Sequence, residues 1–466
     1  MLPLHPATLA RYLVITLLAT AYKQSAASPW VDAGDARTRH HLLVLRDAGK
    51  IRLPLNTWPL MWSGVKSELD ELRAESLSER ELWSYQYLRH QLKRAMRERA
   101  LAIQAQAASS PGAFAGFSAP ENDPQFGRIS STFTRSNFAV KLSRSYVFDP
   151  LDDHTNRYDG SYLATTLGNW VLGVGAQSRW WGPGWQSSQL LSTNARPTPA
   201  LFVQRKDASA AKNTYRTPVS WDIVLFAGEL QQNDYQQKPL FSGARLSVSP
   251  SRFLEIGAAT TQISPGELKQ SDESAEETDS YRLISLDWRV STNASWGQLA
   301  VYQQIAQDNS EQGENSYVFG IENAMLLGDT HTRVAIEYND NAPVTNANTD
   351  LVHGYRSYER SLGSAFDFNK HNQSATLLAQ HYFSNGHQLH WKLGRVTLNN
   401  DNTPEVAATE VAEQHAQNTS FATVRYSAPV NSWLKISVGV NYFANKLHLA
   451  DETISSGGYA TFDLQF

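Results

Sequence analysis

The sequence predicts a transmembrane antiparallel β-barrel of about 18 strands with an N-terminal periplasmic α-helical bundle. Three observations indicate this fold class. Apolar and polar residues alternate in short segments over most of the chain, long connections alternate with short ones, and the last apolar alternation ends in Phe466. The mean hydropathy of −0.42 is compatible with a membrane barrel, because only every second residue of a strand faces lipid.

Residues 1–27 are expected to be a cleaved secretory signal peptide. Arg11 supplies a positive charge, Tyr12 to Tyr22 is a short apolar run, and Ser25-Ala26-Ala27 offers small residues for cleavage. The apolar run is too short to span a bilayer as a helix. We therefore expect the mature chain to begin near Ser28.

Residues 28–112 are predicted to form a periplasmic helical bundle or plug. Asp35 is suited to cap a first helix that ends before Gly49. Prolines at positions 54 and 59 then prevent helix continuity. A second helix is expected from Val65 to Ala74.

The third predicted helix begins with a capping box. Ser78 and Glu81 have the S-x-x-E spacing, so the helix is expected to run from Glu79 to about Gln106. Basic residues crowd its later turns, where the helix dipole favours cations. A role for this basic face in membrane or polysaccharide contact is the alternative to simple solvation. Residues 107–113 are expected to be a linker.

Residues 113–466 are predicted to form the barrel itself. In segments 332–339 and 434–442, one face is apolar and the other carries charged residues, polar residues or glycine. A soluble β-sandwich would alternate in the same way, so other features must decide. Phe462, Leu464 and Phe466 alternate up to the C-terminus, as in the last strand of bacterial barrels.

The lengths of the connections favour a membrane barrel over a sandwich. Counting back from Phe466, connections 445–457, 399–419 and 340–374 are long, whereas 428–432, 384–387 and 327–330 are short. Outer-membrane barrels have long extracellular loops, short periplasmic turns and an even number of strands. Ala113 to Ala119 is expected to be the first strand. Lys206–Val219 is the exception, because it is long and falls on the periplasmic side.

The composition and motifs exclude several classes of function. The chain has no cysteine, which rules out disulfides, thiolate catalysis and Cys-ligated metals. Acidic residues outnumber basic ones, so nucleic acid is not an expected partner. Serine-hydrolase and metalloprotease motifs are missing. Asp152, Asp153 and Asp159 are expected to form an exposed polar loop, with Ca²⁺ binding as the weaker alternative. We expect no catalytic residue, metal or cofactor.

The richest candidate binding segment is Arg179 to Pro197. The expected carbohydrate-binding residues are Arg179, Trp180, Trp181, Trp185, Asn194 and Arg196. Indole faces stack on the apolar faces of sugar rings, and Arg and Asn donors bind hydroxyl and carboxylate oxygens. The alternative is an aromatic girdle followed by an inward-folded loop that narrows the barrel. The two interpretations are compatible with one another.

This segment also resembles the capsule assembly (Wzi) family. The matching residues are Gln177, Arg179-Trp180-Trp181-Gly182-Pro183-Gly184, Leu190-Leu191-Ser192 and Asn194-Ala195-Arg196-Pro197, together with Asp35–Gly49, Ile51–Pro54 and Thr57-Trp58-Pro59 near the N-terminus. The resemblance implies an outer-membrane barrel of about 18 strands with a periplasmic helical bundle. It also implies a lectin that retains exported capsular polysaccharide on the cell surface.

Three functions remain open at this point. The first is a non-enzymatic surface lectin that binds capsular or extracellular polysaccharide and helps to retain or assemble it. The second is a porin for oligosaccharides, and the third, which lacks a supporting motif, is a barrel hydrolase. The expected partners are polysaccharide, outer-membrane lipid and the polysaccharide export machinery, and we expect a monomer. A helical plug favours the lectin, because plain porins have none.

Overall fold

We describe the fold from a computed structural model of the chain. It describes residues 30–466 except for 115, 119–121, 136, 151, 210–218, 231–235, 238, 265–266, 269–279, 310–314, 343–354, 359, 367–370, 400–404, 407–410, 413–415 and 450–451. The expected signal peptide, residues 1–27, and the start of the mature chain at Ser28 lie outside the described residues.

Three helices precede the barrel. They are α1 (Ala36–Asp47), α2 (Trp62–Glu71) and α3 (Glu79–Ala95). Asp35 caps α1 by accepting the Thr38 backbone N–H at 2.9 Å, as its position predicts. The predicted capping box of α3 is present, with the Ser78 backbone N–H donating to Glu81 at 2.9 Å. None of the helices in the described part of the chain is long and apolar enough to cross a membrane.

The predicted C-terminal end of the third helix is wrong. Helix α3 ends at Ala95, and Arg99–Ala108 is a barrel strand rather than helix or linker. Alanine, leucine and glutamine in this stretch are strong helix formers, which explains the error. The strand forms because its edges pair with the last strand on one side and with Gln125–Arg135 on the other, and such pairing overrides local propensity.

The barrel strands are numbered here in chain order. They are β1 (Arg99–Ala108), β2 (Gln125–Arg135), β3 (Phe138–Phe148), β4 (Asn156–Arg157 and Tyr162–Leu167), β5 (Trp170–Gly175), β6 (Ala200–Arg205), β7 (Ser220–Glu229), β8 (Leu240–Ser249), β9 (Leu254–Ser264), β10 (Tyr281–Ala294), β11 (Gly297–Asp308), β12 (Asn315–Leu327), β13 (Thr330–Asn341), β14 (Asn372–Phe383), β15 (Gln388–Leu398), β16 (Gln417–Pro429), β17 (Leu434–Phe443) and β18 (Gly457–Gln465).

Each strand pairs antiparallel with its sequence neighbours, and β18 pairs with β1 to close the barrel. The interrupted strand β4 pairs with β3 through both of its parts, so it fills one position. The predicted number of about 18 strands is therefore confirmed. The predicted antiparallel barrel is confirmed as well.

The first predicted strand, Ala113 to Ala119, is wrong. Its described residues form no strand, and Phe114 and Phe117 are buried inside the barrel. Phe114 packs against Phe366 and Phe421, and the Phe117 ring lies 5.1 Å from the Trp58 ring. We call residues 111–118 the lumenal segment. The number of strands is still as predicted, because Arg99–Ala108 (β1) is a strand that was not predicted.

The two faces of the barrel wall carry opposite chemistry. The outer face exposes aliphatic side chains, for example Leu142, Leu201, Leu286 and Ile336. The inner face buries charged side chains, including Arg245, Arg289, Arg333, Glu255 and Glu322. This is the reverse of a soluble protein and the arrangement of a lipid-facing barrel.

The helices lie at the barrel end that carries the short turns. Arg37 of α1 donates to the carbonyl of Gly386 in a short turn, and Arg80 of α3 donates to Asn293 next to another. The long connection 206–219 also lies at this end, as its place in the strand order predicts. The first residues of this connection contact α2, where the Ser67 hydroxyl donates to Asp207 at 2.6 Å.

Helix α1 is bound to the inner wall by buried ion pairs. Arg46 pairs with Glu255 of β9, and Asp47 accepts two hydrogen bonds of 2.6 and 2.7 Å from Arg289 of β10. Glu322 of β12 bonds the same arginine at 2.5 Å. Because removing one member of a buried pair costs about 3–5 kcal/mol, these contacts fix α1 inside the barrel. Helix α1 thus lies inside the barrel at the short-turn end.

Candidate functional site

The connection 176–199 folds into the barrel instead of extending outward. We call it the lumenal loop. Its Trp180-Trp181 pair forms a short antiparallel bridge with Thr57-Trp58 of the N-terminal region. Its Gly184 must be glycine, because a Cβ there would lie 2.0 Å from the carbonyl oxygen of Ser187. The predicted alternative, an inward-folded loop that narrows the barrel, is what the structure contains.

Three of the expected sugar-binding residues lie in the core of this loop. Trp180, Trp181 and Trp185 are 0%, 0% and 2% exposed. The Arg39 guanidinium covers the Trp185 ring at 4.2 Å, and the Trp185 Nε1 donates to Glu322 at 2.6 Å. Because protein covers the faces of these three rings, we do not propose that they stack on sugar.

Arg179 is buried as well. Its guanidinium lies 4.3 Å from the centre of the Phe226 ring and donates to the Gln177 carbonyl at 3.3 Å. Burial lowers the pKa of Arg179 to about 10, so it stays charged at neutral pH. This contact braces the lumenal loop against strand β7.

Arg196 lies at the other end of the lumenal loop, among the long connections. Its Nε donates to Asp159 at 2.8 Å and its Nη1 to Asp152 at 2.6 Å. Its guanidinium stacks on the Tyr358 ring at 3.8 Å. Burial alone would raise the pKa of Asp152, but the hydrogen bond from Arg196 and the charges of Arg157 and Arg196 lower it below its usual value. Asp152 therefore stays ionised at neutral pH beside Arg196.

Asn194 joins the same connections together. Its backbone carbonyl accepts a hydrogen bond of 2.6 Å from Asn122, and its side-chain amide donates to the Ser361 carbonyl at 3.0 Å. Connections 109–124, 176–199 and 342–371 thus meet at one residue. Asn194 is a positioning residue for the loops at the long-loop end.

A cavity of about 270 Å³ opens beside Asn194 and Arg196. We call it the outer cleft. Its lining contains Tyr358, Tyr162, Arg360, Arg128, Lys141, Gln177, Asp123, Asp152, Arg157 and Asp159. Aromatic rings beside many donors and acceptors are the groups that bind sugar rings and hydroxyls. The outer cleft is therefore the candidate functional site.

Sequence reasoning found only part of this site. It selected Asn194 and Arg196 but missed Asp123, Arg157 and Tyr358. The expectation of an exposed polar loop is wrong for Asp152, which is buried and pairs with Arg157 and Arg196. Arg196 lies 44 positions away from Asp152, so no local spacing signalled the pair.

One histidine cluster lies within metal-binding distance. His40 and His41 of α1 and His331 of β13 are buried with nitrogen atoms within 4.8 Å of one another. Arg333 Nε donates to His40 Nδ1 at 3.2 Å, so the proton of His40 sits on Nε2 and blocks metal ligation there. Burial lowers the pKa values of His40 and His41 well below the usual range. The cluster packs α1 in neutral form.

These features define a class: a bacterial outer-membrane β-barrel whose lumen holds its own N-terminal helices and an inward-folded loop. Residues 115–455 match the family described as "Capsule assembly protein Wzi". The chain belongs to this family, which confirms the resemblance seen at Arg179–Pro197.

Individual relatives are distant. A Klebsiella pneumoniae protein described as an uncharacterized 55.8 kDa protein in the cps region is 24% identical over 263 residues. The match covers 54% of this chain and spans half the length of that relative. The solved structure of Wzi, described as an outer-membrane protein involved in group 1 capsule assembly in Escherichia coli and a carbohydrate-binding β-barrel, is 18% identical with a TM-score of 0.79.

The Wzi likeness covers 93% of this chain and 99% of that one, so the two share the whole fold. OccK5 (OpdH) of Pseudomonas aeruginosa is also similar, with 10% identity and a TM-score of 0.46 over 79% of this chain and 96% of that one. At that TM-score the second likeness bears on nothing beyond general shape.

Proposed function

We propose that this protein binds exported capsular or extracellular polysaccharide in the outer cleft and helps to retain or assemble it on the cell surface. The observation that carries the proposal is the cleft itself, a polar and aromatic cavity beside Asn194 and Arg196 at the long-loop end. Membership of the capsule assembly family and the carbohydrate-binding description of the Escherichia coli protein support it. The proposed role is binding rather than catalysis.

Each contact in such a site is weak. A charge-assisted hydrogen bond contributes about 1.5–3 kcal/mol, and an aromatic contact about 0.5–1.5 kcal/mol. The polymer repeats its sugar units, and many copies of the barrel face the same surface. Avidity over several copies then supplies the retention that one cleft does not. The protein acts as a monomer in this scheme, next to the export machinery that delivers the polymer.

The test compares three variants in cells that make the polymer. Tyr358→Leu removes the ring on which Arg196 stacks, and Arg196→Ala removes the guanidinium. Tyr158→Leu is the matched control, because Tyr158 is 63% exposed next to Asp159 and does not line the cleft. We expect the first two variants to release several-fold more polymer into the medium and the control to behave as wild type.

Barrel abundance, measured by the heat-dependent shift in gel mobility, separates lost binding from lost folding. The proposal fails if Tyr358→Leu and Arg196→Ala both keep normal barrel levels and normal cell-bound polymer. In that case the polymer binds elsewhere on the long connections.

A further inference from the structure

Four buried arginines around helix α1 and the lumenal loop are matched by acids. The pairs are Arg46 with Glu255, Arg245 with Asp287, Arg289 with Asp47 and Glu322, and Arg333 with Glu322. All of the barrel members of these pairs lie on β8 to β13. The ion pairs of helix α1 therefore all reach this half of the wall.

Strands β15 and β16, outside that half of the wall, carry inward positive charge that forms no ion pair within the described residues. His390 and Lys392 of β15 point inward, and Arg425 of β16 lies directly across from His390. The outward neighbours Leu393 and Val424 are exposed on the lipid face. Within the described residues, neither Lys392 nor Arg425 forms an ion pair. Lys392 also donates no hydrogen bond there, and its ammonium lies beside Gly116 of the lumenal segment.

The hydrogen bonds show that Lys392, Arg425 and His390, here called the basic cluster, offer donors to the lumen. Arg425 donates to the backbone carbonyl of Ser118 and to His390 Nδ1, the latter at 2.6 Å. Since an arginine has no acceptor, His390 Nδ1 must be the acceptor and the ring proton must sit on Nε2. That Nε2 is buried and has no hydrogen-bond partner. An ammonium, a guanidinium and an imidazole N–H thus lie on neighbouring strands, and no carboxylate of the described residues forms an ion pair or hydrogen bond with them.

The cluster lines open space on two sides. A cavity of about 50 Å³ lies against Lys392, Arg425 and His390, beneath the lumenal segment. A second cavity of about 930 Å³, here called the vestibule, shares His390 and Arg425 and extends to the short-turn end. The small cavity exceeds the space that one water molecule needs, and the vestibule has room for a sugar ring.

The acids that line the vestibule do not neutralise the cluster. Asp463 pairs with Lys435 at 3.2 Å, Asp32 pairs with Lys141 at 2.9 Å, and Asp35 caps α1. Basic residues at positions 37, 94 and 97 line the same vestibule. An anion that enters from the short-turn end meets positive potential along its way.

We infer that Lys392, Arg425 and His390 form a lumenal binding site for one carboxylate group, reached from the vestibule. The carboxylate belongs either to a small free acid or to an acidic sugar whose ring occupies the vestibule. None of these three residues lines the outer cleft, and the site does not rest on the function proposed for that cleft. Charge-assisted donors of this kind are the ones that carboxylates prefer.

The test is calorimetric titration of the purified barrel in a neutral detergent at low ionic strength. Acetate, glucuronate and uncharged glucose are the probes. Lys392→Met is the informative variant. Lys392 forms no hydrogen bond or ion pair with the described residues, so the barrel should fold without it. Lys435→Met is the matched control, since that lysine lines the vestibule but already pairs with Asp463.

We expect saturable binding of a carboxylate probe, no binding of glucose, and binding about tenfold weaker in Lys392→Met than in Lys435→Met. Acetate binding alone assigns the site to small free acids, whereas glucuronate binding at least as tight assigns it to acidic sugars. The inference is overturned if wild type binds neither carboxylate, or if Lys392→Met and Lys435→Met bind equally well.

Discussion

Glu337 shows at the scale of one residue how the lumenal loop is held. Its carboxylate accepts backbone N–H groups from Trp185 at 2.7 Å, Gln186 at 3.1 Å and Ser187 at 2.6 Å. The Tyr302 hydroxyl donates to it as well, at 2.8 Å. One buried side chain on β13 therefore satisfies a whole turn of backbone that would otherwise be unpaired.

Replacing Glu337 by glutamine should destabilise the loop. Glutamine keeps the shape but has one acceptor oxygen, so at least one buried backbone N–H loses its partner at a cost of about 1–3 kcal/mol. We expect a lower temperature for the loss of folded gel mobility than in wild type. Glu75→Gln, at an exposed position after α2, is the control and should leave that temperature unchanged. Equal midpoints for both variants would show that Glu337 does not hold the loop.

The sequence shows which residue types the lumenal loop contains, but it does not show what surrounds them in the fold. Three tryptophans beside arginines suggested a sugar platform, and the same residues build a buried brace. The acid that fixes Trp185 lies 152 positions along the chain. Only the closed barrel brings β13 to that turn, so no local pattern could decide between the two interpretations.

At the scale of elements, the three helices differ in how firmly they are attached. Eleven of the twelve residues of α1 are buried, whereas four of the seventeen residues of α3 are. Helix α1 is bound to the wall by ion pairs, and α3 packs mainly on α1 from outside. Local opening should therefore begin at α3.

Hydrogen exchange should resolve this order. We expect amides of α1 to exchange as slowly as those of the central strands, and amides of α3 to exchange much faster through local opening. Mass spectrometry of peptides covering 36–47 and 79–95 measures the difference in one experiment. Exchange in α1 as fast as in α3 would contradict the attachment described here.

Local signals located these elements well where the chain provides caps. Asp35 and the Ser78 box marked two helix starts correctly. The signal failed after Ala95, because Arg99–Ala108 is rich in helix-forming residues but pairs with the last strand of the barrel. That partner lies at the other end of the chain. Pairing that closes the barrel therefore makes this segment a strand, against its local helix propensity.

At the scale of the whole molecule, the barrel and its interior were predictable to different degrees. The alternation of faces and of connection lengths specified an 18-stranded barrel, because lipid outside and polar filling inside impose both patterns. The long connection 206–219 does not fit that rule, and its first residues contact α2. The filling of the lumen follows from side-chain contacts between distant residues, which the alternation does not encode.

We propose that this barrel works as a binding surface with an occluded lumen, and not as an oligosaccharide porin. Helix α1, the lumenal loop and the lumenal segment together occupy much of the interior, and the cavity next to Lys392 has a volume of about 50 Å³. Conductance of the intact protein in planar bilayers tests this most directly. An occluded lumen should give no steady channel. Large, stable, ohmic openings would contradict an occluded lumen.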